Sequence, residues 1–255
     1  MALEIVTVPC RSDNYAYLVH NTETSETAII DAPEAAPLLD ALEARGWAPS
    51  TLYITHHHLD HVEGLPEIKA KHDIKVVGAA ADAHRLPELD QQIADGEEIT
   101  ICGTSAHIFD VSGHTIGHIA LYIPAASAVF TADSLMALGC GRVFEGTMEQ
   151  MWNSLSKLAA LPPDTLVYSG HEYTAANAKF ALTIEPENPD LLARVKAISE
   201  KRAKSIPTVP SKLSVELATN PFLRASDPNI RKSLGLEAAS NAEVFAEIRT
   251  KKDNF

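Results

Sequence analysis

Short apolar runs separated by turn-forming residues dominate the first two thirds of the chain. "EIVTVP", "NYAYLVH", "TAIIDA", "TLYIT", "KVVGA", "EITICG", "SAHIFDV", "IALYIP", "AVFTA" and "TLVYSG" each predict a strand. Apolar residues at helical spacing lie among them, in "APLLDALEARG", "VEGLPEIKAKHD" and "MEQMWNSLSKLAAL". Many strands mixed with a few helices predict an α/β (α+β) fold, with sheet layers flanked by helices rather than a simple βαβ alternation. After "SGHEYT" the pattern changes: "AANAKFALTIEP", "NPDLLARVKAISEKRAKS" and "NAEVFAEIRTKKDNF" predict helices. The expected domains are therefore 1–173 and a helical unit 174–255, with the Pro-rich "IPTVPSKLSVELATNPF" as a joining stretch inside the second.

Composition narrows the partners. The chain has 255 residues, 45% hydrophobic and 22% charged, which is ordinary for a globular protein. Its net charge of -13 disfavours nucleic acid, because phosphate binding rests on lysine and arginine. The charge is uneven: residues 1–173 carry 8 basic and 24 acidic side chains, residues 174–255 carry 13 and 10. A mildly basic tail on an acidic body suggests a second unit with its own surface task. No apolar run approaches the roughly 20 residues of a membrane span. The first residues show no basic leader followed by an apolar stretch, so a cytoplasmic address is expected. Cys10, Cys102 and Cys140 form no C-x-x-C pair and are expected as buried thiols in a reducing compartment.

The chemistry concentrates in "THHHLDH", residues 55–61, where "TLYIT" ends. In an extended backbone residues i and i+2 face the same way, so His56 and His58 converge on one point and His57 points elsewhere. Asp60 and His61 come where "DHVEGLPEIK" begins to read as helix, aimed at a neighbouring point. His114, Asp133 and His171 also follow apolar runs, and the glycines before the two histidines permit sharp turns. One four-coordinate ion cannot use seven ligands and still keep an open position. Two ions can: His56, His58 and His114 on one, Asp60, His61 and His171 on the other, and Asp133 across both. Imidazole and carboxylate donors suit zinc, with iron or manganese also open. Two such ions about 3.5–4 Å apart lower the pKa of a shared water and polarise a carbonyl, which is hydrolytic chemistry without a serine or cysteine nucleophile. Asp60 and Asp133 are the carboxylates expected to serve it.

"THHHLDH", "SGHTIGH", "FTADSL" and "SGHEYT" together resemble the metallo-β-lactamase superfamily. The resemblance implies an αβ/βα sandwich with the metal site at one edge. "GCGRVFEGT", "HEYTAANAKFA", "VPSKL", "NPFLR" and "IRTKKDNF" extend it to the glyoxalase II, or hydroxyacylglutathione hydrolase, family. That family hydrolyses S-D-lactoylglutathione to D-lactate and glutathione, so the implied partner is a small glutathione thioester, acted on by a monomer. Its glutathione contacts carry over to Arg142, Tyr173, Asn177, Arg249 and Lys252. Phe144 stands where relatives carry tyrosine, and "FTADS" replaces the commoner "FTGDT". Arg142, Arg249 and Lys252 would offer cations to the two carboxylates of glutathione.

His20, His57, His72, His84, His107 and Asp31 are not assigned to the site, although Asp31 could orient a ligand histidine; His118 stands equally as supporter or strand-end packing. Two other readings compete: a glutathione persulfide dioxygenase with a single iron, and a metal-binding module without turnover.

Overall fold

The computed structural model describes residues 3–255. Two six-stranded sheets carry it. The first has the order β1 (Leu3–Cys10), β2 (Asn14–Asn21), β3 (Thr27–Ile30), β4 (Thr51–Ile54), β5 (Lys75–Ala79) and β6 (Gln91–Ile93). The second contains β7 (Glu98–Ile101), β8 (Thr104–Asp110), β9 (Ile119–Ile123), β10 (Ala128–Ala132), β13 (Leu166–Ser169) and β14 (Ser211–Lys212), in the order 14-13-10-9-8-7. A small hairpin, β11 (Leu135–Met136) and β12 (Gly139–Cys140), stands apart. The helices are α1 (Ala35–Glu43), α2 (Leu59–Val62), α3 (Leu65–Lys71), α4 (Met148–Ala159), α5 (Thr174–Ile184), α6 (Pro189–Arg202), α7 (Leu213–Thr219), α8 (Pro228–Leu234) and α9 (Asn241–Asp253). The chain divides into two compact units: Met1–Asp110 with Ile116–Phe130, and Val111–Thr115 with Thr131–Phe255.

In the first unit the period of two along each strand decides which sheet face meets which layer. Ala16, Leu18, Ile29, Leu52, Ile54 and Val76 point to one side, where Leu38 and Leu42 of α1 and Leu65 and Ile68 of α3 complete a buried cluster. The intervening residues point to the second sheet: Tyr17 meets Phe130 with ring centroids 5.4 Å apart. The Tyr53 hydroxyl donates to Thr100 O at 3.2 Å, and Asn21 donates to Cys102 O at 2.8 Å. Strands β3 to β6 run parallel, so the carboxyl ends of β3 and β4 lie side by side. Such ends are where open parallel sheets build their sites.

The second unit is held by aromatic contacts and by buried ion pairs. Phe180 stacks on Phe222 at 5.8 Å, Phe222 meets Phe245 edge-on at 6.1 Å, and Trp152 of α4 meets Phe245 of α9 at 6.0 Å. Leu138, Ala178, Ala181, Leu191 and Ile198 form a separate apolar cluster. Two expectations need correction here. "VEGLPEIKAKHD" is not one helix: α2 ends at Val62 and α3 begins at Leu65, because a Cβ on Gly64 would lie 2.7 Å from Ala35 N, so the chain presses against the start of α1. "IPTVPSKLSVELATNPF" is not a simple link; it supplies β14, which pairs with β13, and α7. Pro207, Pro210 and Pro221 flank these short elements and leave a window of only ten residues between the last two. Helix α8 was also not expected; Asp227 caps it, accepting from Asn229 N and Ile230 N, and Gly235 ends it in the left-handed region.

Candidate metal centre

The first unit contributes four donor side chains just past β4. His56 lies at the strand end, fully buried, and His58 follows in extended conformation. His56 Nε2 and His58 Nδ1 come within 3.2 Å of each other, as nitrogens sharing a target do. At Leu59 the backbone turns into α2, which carries Asp60 and His61 away from that line. Hydrogen bonds fix the protonation pattern of the rings. Asp31, just beyond β3, adopts φ +59 and is 3% exposed. Its Oδ2 accepts from His61 Nδ1 and from the Thr55 hydroxyl, each at 2.8 Å, while Oδ1 accepts from Thr55 N at 2.8 Å. Because its proton goes to Asp31, the Thr55 hydroxyl accepts from His56 Nδ1 at 3.0 Å. Both imidazoles therefore keep their Nε2 lone pairs for a cation. Asn14 donates to Asp60 Oδ2 at 3.0 Å and to Asp60 O at 3.1 Å.

His57 turns from this group. Its Nδ1 lies 2.9 Å from Asp82, which also receives the Arg85 guanidinium, and Arg85 reaches Ile116 O at 2.7 Å. His118 stacks on the His56 ring at 4.6 Å and 15°.

The second unit contributes three donors, each just beyond a strand or a glycine turn. His114 follows Gly113, at φ +151, where a Cβ would lie 2.8 Å from Met151 Cβ. Asp133 follows β10, and His171 follows β13 and Gly170. His114 Nδ1 donates to Arg142 O at 2.8 Å, which places the ring proton on the side away from Nε2. Gly141 allows this approach: a Cβ there would sit 1.9 Å from Asp133 O. A single oxygen, Asp133 Oδ2, lies 3.4 Å from His114 Nε2 and 3.2 Å from His171 Nε2. Within the first unit His56 and His58 face each other and Asp60 Oδ2 lies 3.9 Å from His61 Nε2; within the second, His114 and His171 flank Asp133. The seven residues named from the sequence thus lie four in the first unit and three in the second.

The residues expected at the substrate are of two kinds. Arg142 has a side chain 56% exposed, with Nε 3.2 Å from Asp253. Tyr173 lies flat on His171 at 4.6 Å and is partly exposed. The Lys252 ammonium sits over the Phe180 and Phe255 rings, at 5.2 and 5.3 Å. Partial burial, and then the Arg249 cation, pull its pKa below the ordinary lysine value. Asn177 and Arg249 are both buried and turned onto the protein's own backbone. Asn177 donates to Ala137 O at 3.1 Å and Arg249 to Cys140 O at 3.0 Å. They share this task with Glu216, which accepts from Leu138 N at 2.9 Å, and with Asn220, which donates to Met136 O and Gly139 O. Four side chains from α5, α7, the turn after α7, and α9 thus clasp the β11–β12 hairpin that leads into Arg142.

Asn14 and Thr55 were not expected to support the site, nor Asp82 and Arg85 to hold His57 away from it. A polar residue opening the apolar run "NYAYLVH" was the one available signal for Asn14; nothing in the spacing pointed to Asp60.

The fold and these clusters define a member of the metallo-β-lactamase superfamily, which residues 12–171 match. Residues 172–255 match the hydroxyacylglutathione hydrolase C-terminus. A hydroxyacylglutathione hydrolase of Roseobacter denitrificans is 62% identical over 255 residues, covering all of both chains. One from Ruegeria pomeroyi is 58% identical over the same span, again covering both chains completely. The crystal structure of ETHE1 from Myxococcus xanthus superposes with a TM-score of 0.66 at 22% identity, covering 98% of this chain and 90% of that one, a likeness of fold. This chain belongs to the hydroxyacylglutathione hydrolase family, and it is an enzyme. No helix among the described residues is long and apolar enough to cross a membrane.

Proposed function

We propose that this enzyme hydrolyses S-2-hydroxyacylglutathione thioesters, S-D-lactoylglutathione foremost, to the hydroxy acid and glutathione, using two divalent metal ions. Family membership over the whole length supports the reaction, and the donor set supports the ions. Five imidazoles and two carboxylates, with no thiolate, fit zinc, iron(II) or manganese(II), of which we favour zinc. His56, His58 and His114 would hold one ion, Asp60, His61 and His171 the other. The observation that carries the two-ion reading is Asp133 Oδ2, which lies near both His114 and His171, two imidazoles that this reading gives to different ions. Such ions supply a water-derived nucleophile at neutral pH and Lewis acidity toward the thioester carbonyl.

The chain's own side chains do the rest. Asp31, directly and through Thr55, keeps the protons of His61 and His56 off the nitrogens that face the site. Arg142 and Lys252 offer cations to the glutathione carboxylates, Tyr173 offers a flat surface, and Asn177 and Arg249 hold the hairpin before Arg142. The thiolate leaves with little acid help, because its pKa lies far below that of an amine. In this reading residues 1–173 are catalytic, residues 174–255 bind substrate, and the chain works as a monomer in the cytoplasm, in keeping with three free, buried cysteines.

The test is steady-state hydrolysis of S-D-lactoylglutathione with metal analysis on the same preparation. Turnover should vanish on chelation, return with metal, and be absent in Asp133→Ala. Unchanged activity in either case refutes the mechanism. Oxygen consumption with glutathione persulfide and one iron per chain would favour the dioxygenase alternative instead.

A further inference from the structure

The tight β1–β2 hairpin, in which Cys10 pairs with Asn14 and Arg11 takes φ +50, buries one amide side chain against a ligand carboxylate. Asn14 is 4% exposed, and its amide nitrogen donates both to Asp60 O, at 3.1 Å, and to Asp60 Oδ2, at 3.0 Å. Both acceptors belong to one residue, so Asn14 locks the Asp60 carboxylate against Asp60's own backbone. Oδ2 is also the oxygen that approaches His61 Nε2, at 3.9 Å. A carboxylate oxygen has two in-plane lone pairs, and the amide takes one of them.

We propose that Asn14 is a positioning residue that holds Asp60 as a terminal, one-oxygen ligand of the ion shared with His61 and His171. This rests on the two-ion reading above. The contrast with Asp133 is built into the structure: Asp133 Oδ2 faces two imidazoles, and Asp60 Oδ2 faces one imidazole and one amide. An amide suits the task because it orients the carboxylate without cancelling its charge. A lysine in its place would compete with the cation, and an acid would repel the ligand.

The experiment uses the full chain with Asn14→Leu, close in shape but without a donor, and Asn14→Ala. Stepwise titration with Mn(II) or Zn(II) against a chromophoric chelator gives the two affinities separately, and manganese EPR reports whether two ions are exchange-coupled. The expected result is a loss of roughly 10- to 100-fold for one ion with the other unchanged, together with an uncoupled spectrum at two equivalents. Retention of both wild-type affinities overturns the proposal. So does equal weakening of both ions with a lower melting temperature of the metal-free protein, which would mark the hairpin as merely structural. Fewer than two ions in the wild type would overturn the two-ion reading and this inference with it, a result distinct from a silent Asn14 variant.

Discussion

Asp31→Asn isolates what one buried carboxylate does for two ligand imidazoles. The carboxylate accepts three hydrogen bonds, from Thr55 N, the Thr55 hydroxyl and His61 Nδ1, each at 2.8 Å. Asparagine matches its shape and tolerates the left-handed backbone at φ +59 better than alanine does, so the backbone is left undisturbed. Its amide cannot serve all three donors. With the carbonyl oxygen toward Thr55 N, the NH2 faces His61 Nδ1, and the ring must shift its proton to Nε2, the nitrogen that faces the site. With the amide flipped, Thr55 N–H is buried against another donor, at a cost of roughly 1–3 kcal/mol. Losing such an outer partner weakens metal binding by roughly 10- to 100-fold, and each decade is about 1.4 kcal/mol. Because Asp31 serves His61 directly and His56 through Thr55, we expect the upper end, about 100-fold. Thr55→Val cuts only the relay to His56 and should cost about tenfold. Chelator competition, run beside a thermal melt of the metal-free protein, measures both. An Asp31→Asn protein that keeps both ions at wild-type affinity would refute the tautomer argument.

His57→Ala should keep two ions while His58→Ala loses one; the first also loses the Asp82 contact, costing about 1 kcal/mol in chemical denaturation. Arg249→Ala should destabilise by roughly 2–4 kcal/mol, since it opens a buried site and abandons Cys140 O and Asp253. Arg142→Ala should shift stability by no more than about 0.5 kcal/mol, because the bond to His114 comes from its backbone oxygen, and should raise KM with kcat kept. Burial pushes the Cys10 and Cys102 thiols up to about 12 from 9.0. The native state keeps those protons while the unfolded chain releases them, so stability is whole below pH 9 and falls as pH rises toward 12. Urea midpoints across that range should fall less in the double variant Cys10→Ala, Cys102→Ala.

The strands were legible, and seven ligand candidates could be nominated, because both follow short rules. Strands announce themselves by period, and ligands follow strand ends, where "THHHLDH" begins and where His114, Asp133 and His171 stand. What stayed hidden depends on which strands become neighbours. Asp31 meets Thr55 only because β3 and β4 lie parallel with Ile30 beside Tyr53, and Asn14 meets Asp60 across 46 residues of chain. Arg249 was expected to offer its cation to glutathione, from the resemblance of "IRTKKDNF". Its burial comes from the seam of α9 that also buries Val244, Phe245 and Ile248, and only the packed helix shows which cation falls on that seam.

The clasp on the β11–β12 hairpin also sets an order of events during synthesis. Arg249 closes onto Cys140 across 109 residues, and Asp253 reaches Arg142 across 111. A ribosome that has delivered the hairpin must still make α4 through α9 before the last carbonyl finds its donor. The first unit can fold early, as nascent domains do, whereas the Arg142 segment waits for distant contacts, which form slowly. A stalled or clipped chain lacking α9 would therefore carry a finished first unit, with His56, His58 and His61 in place, while its Arg142 segment stayed unfinished.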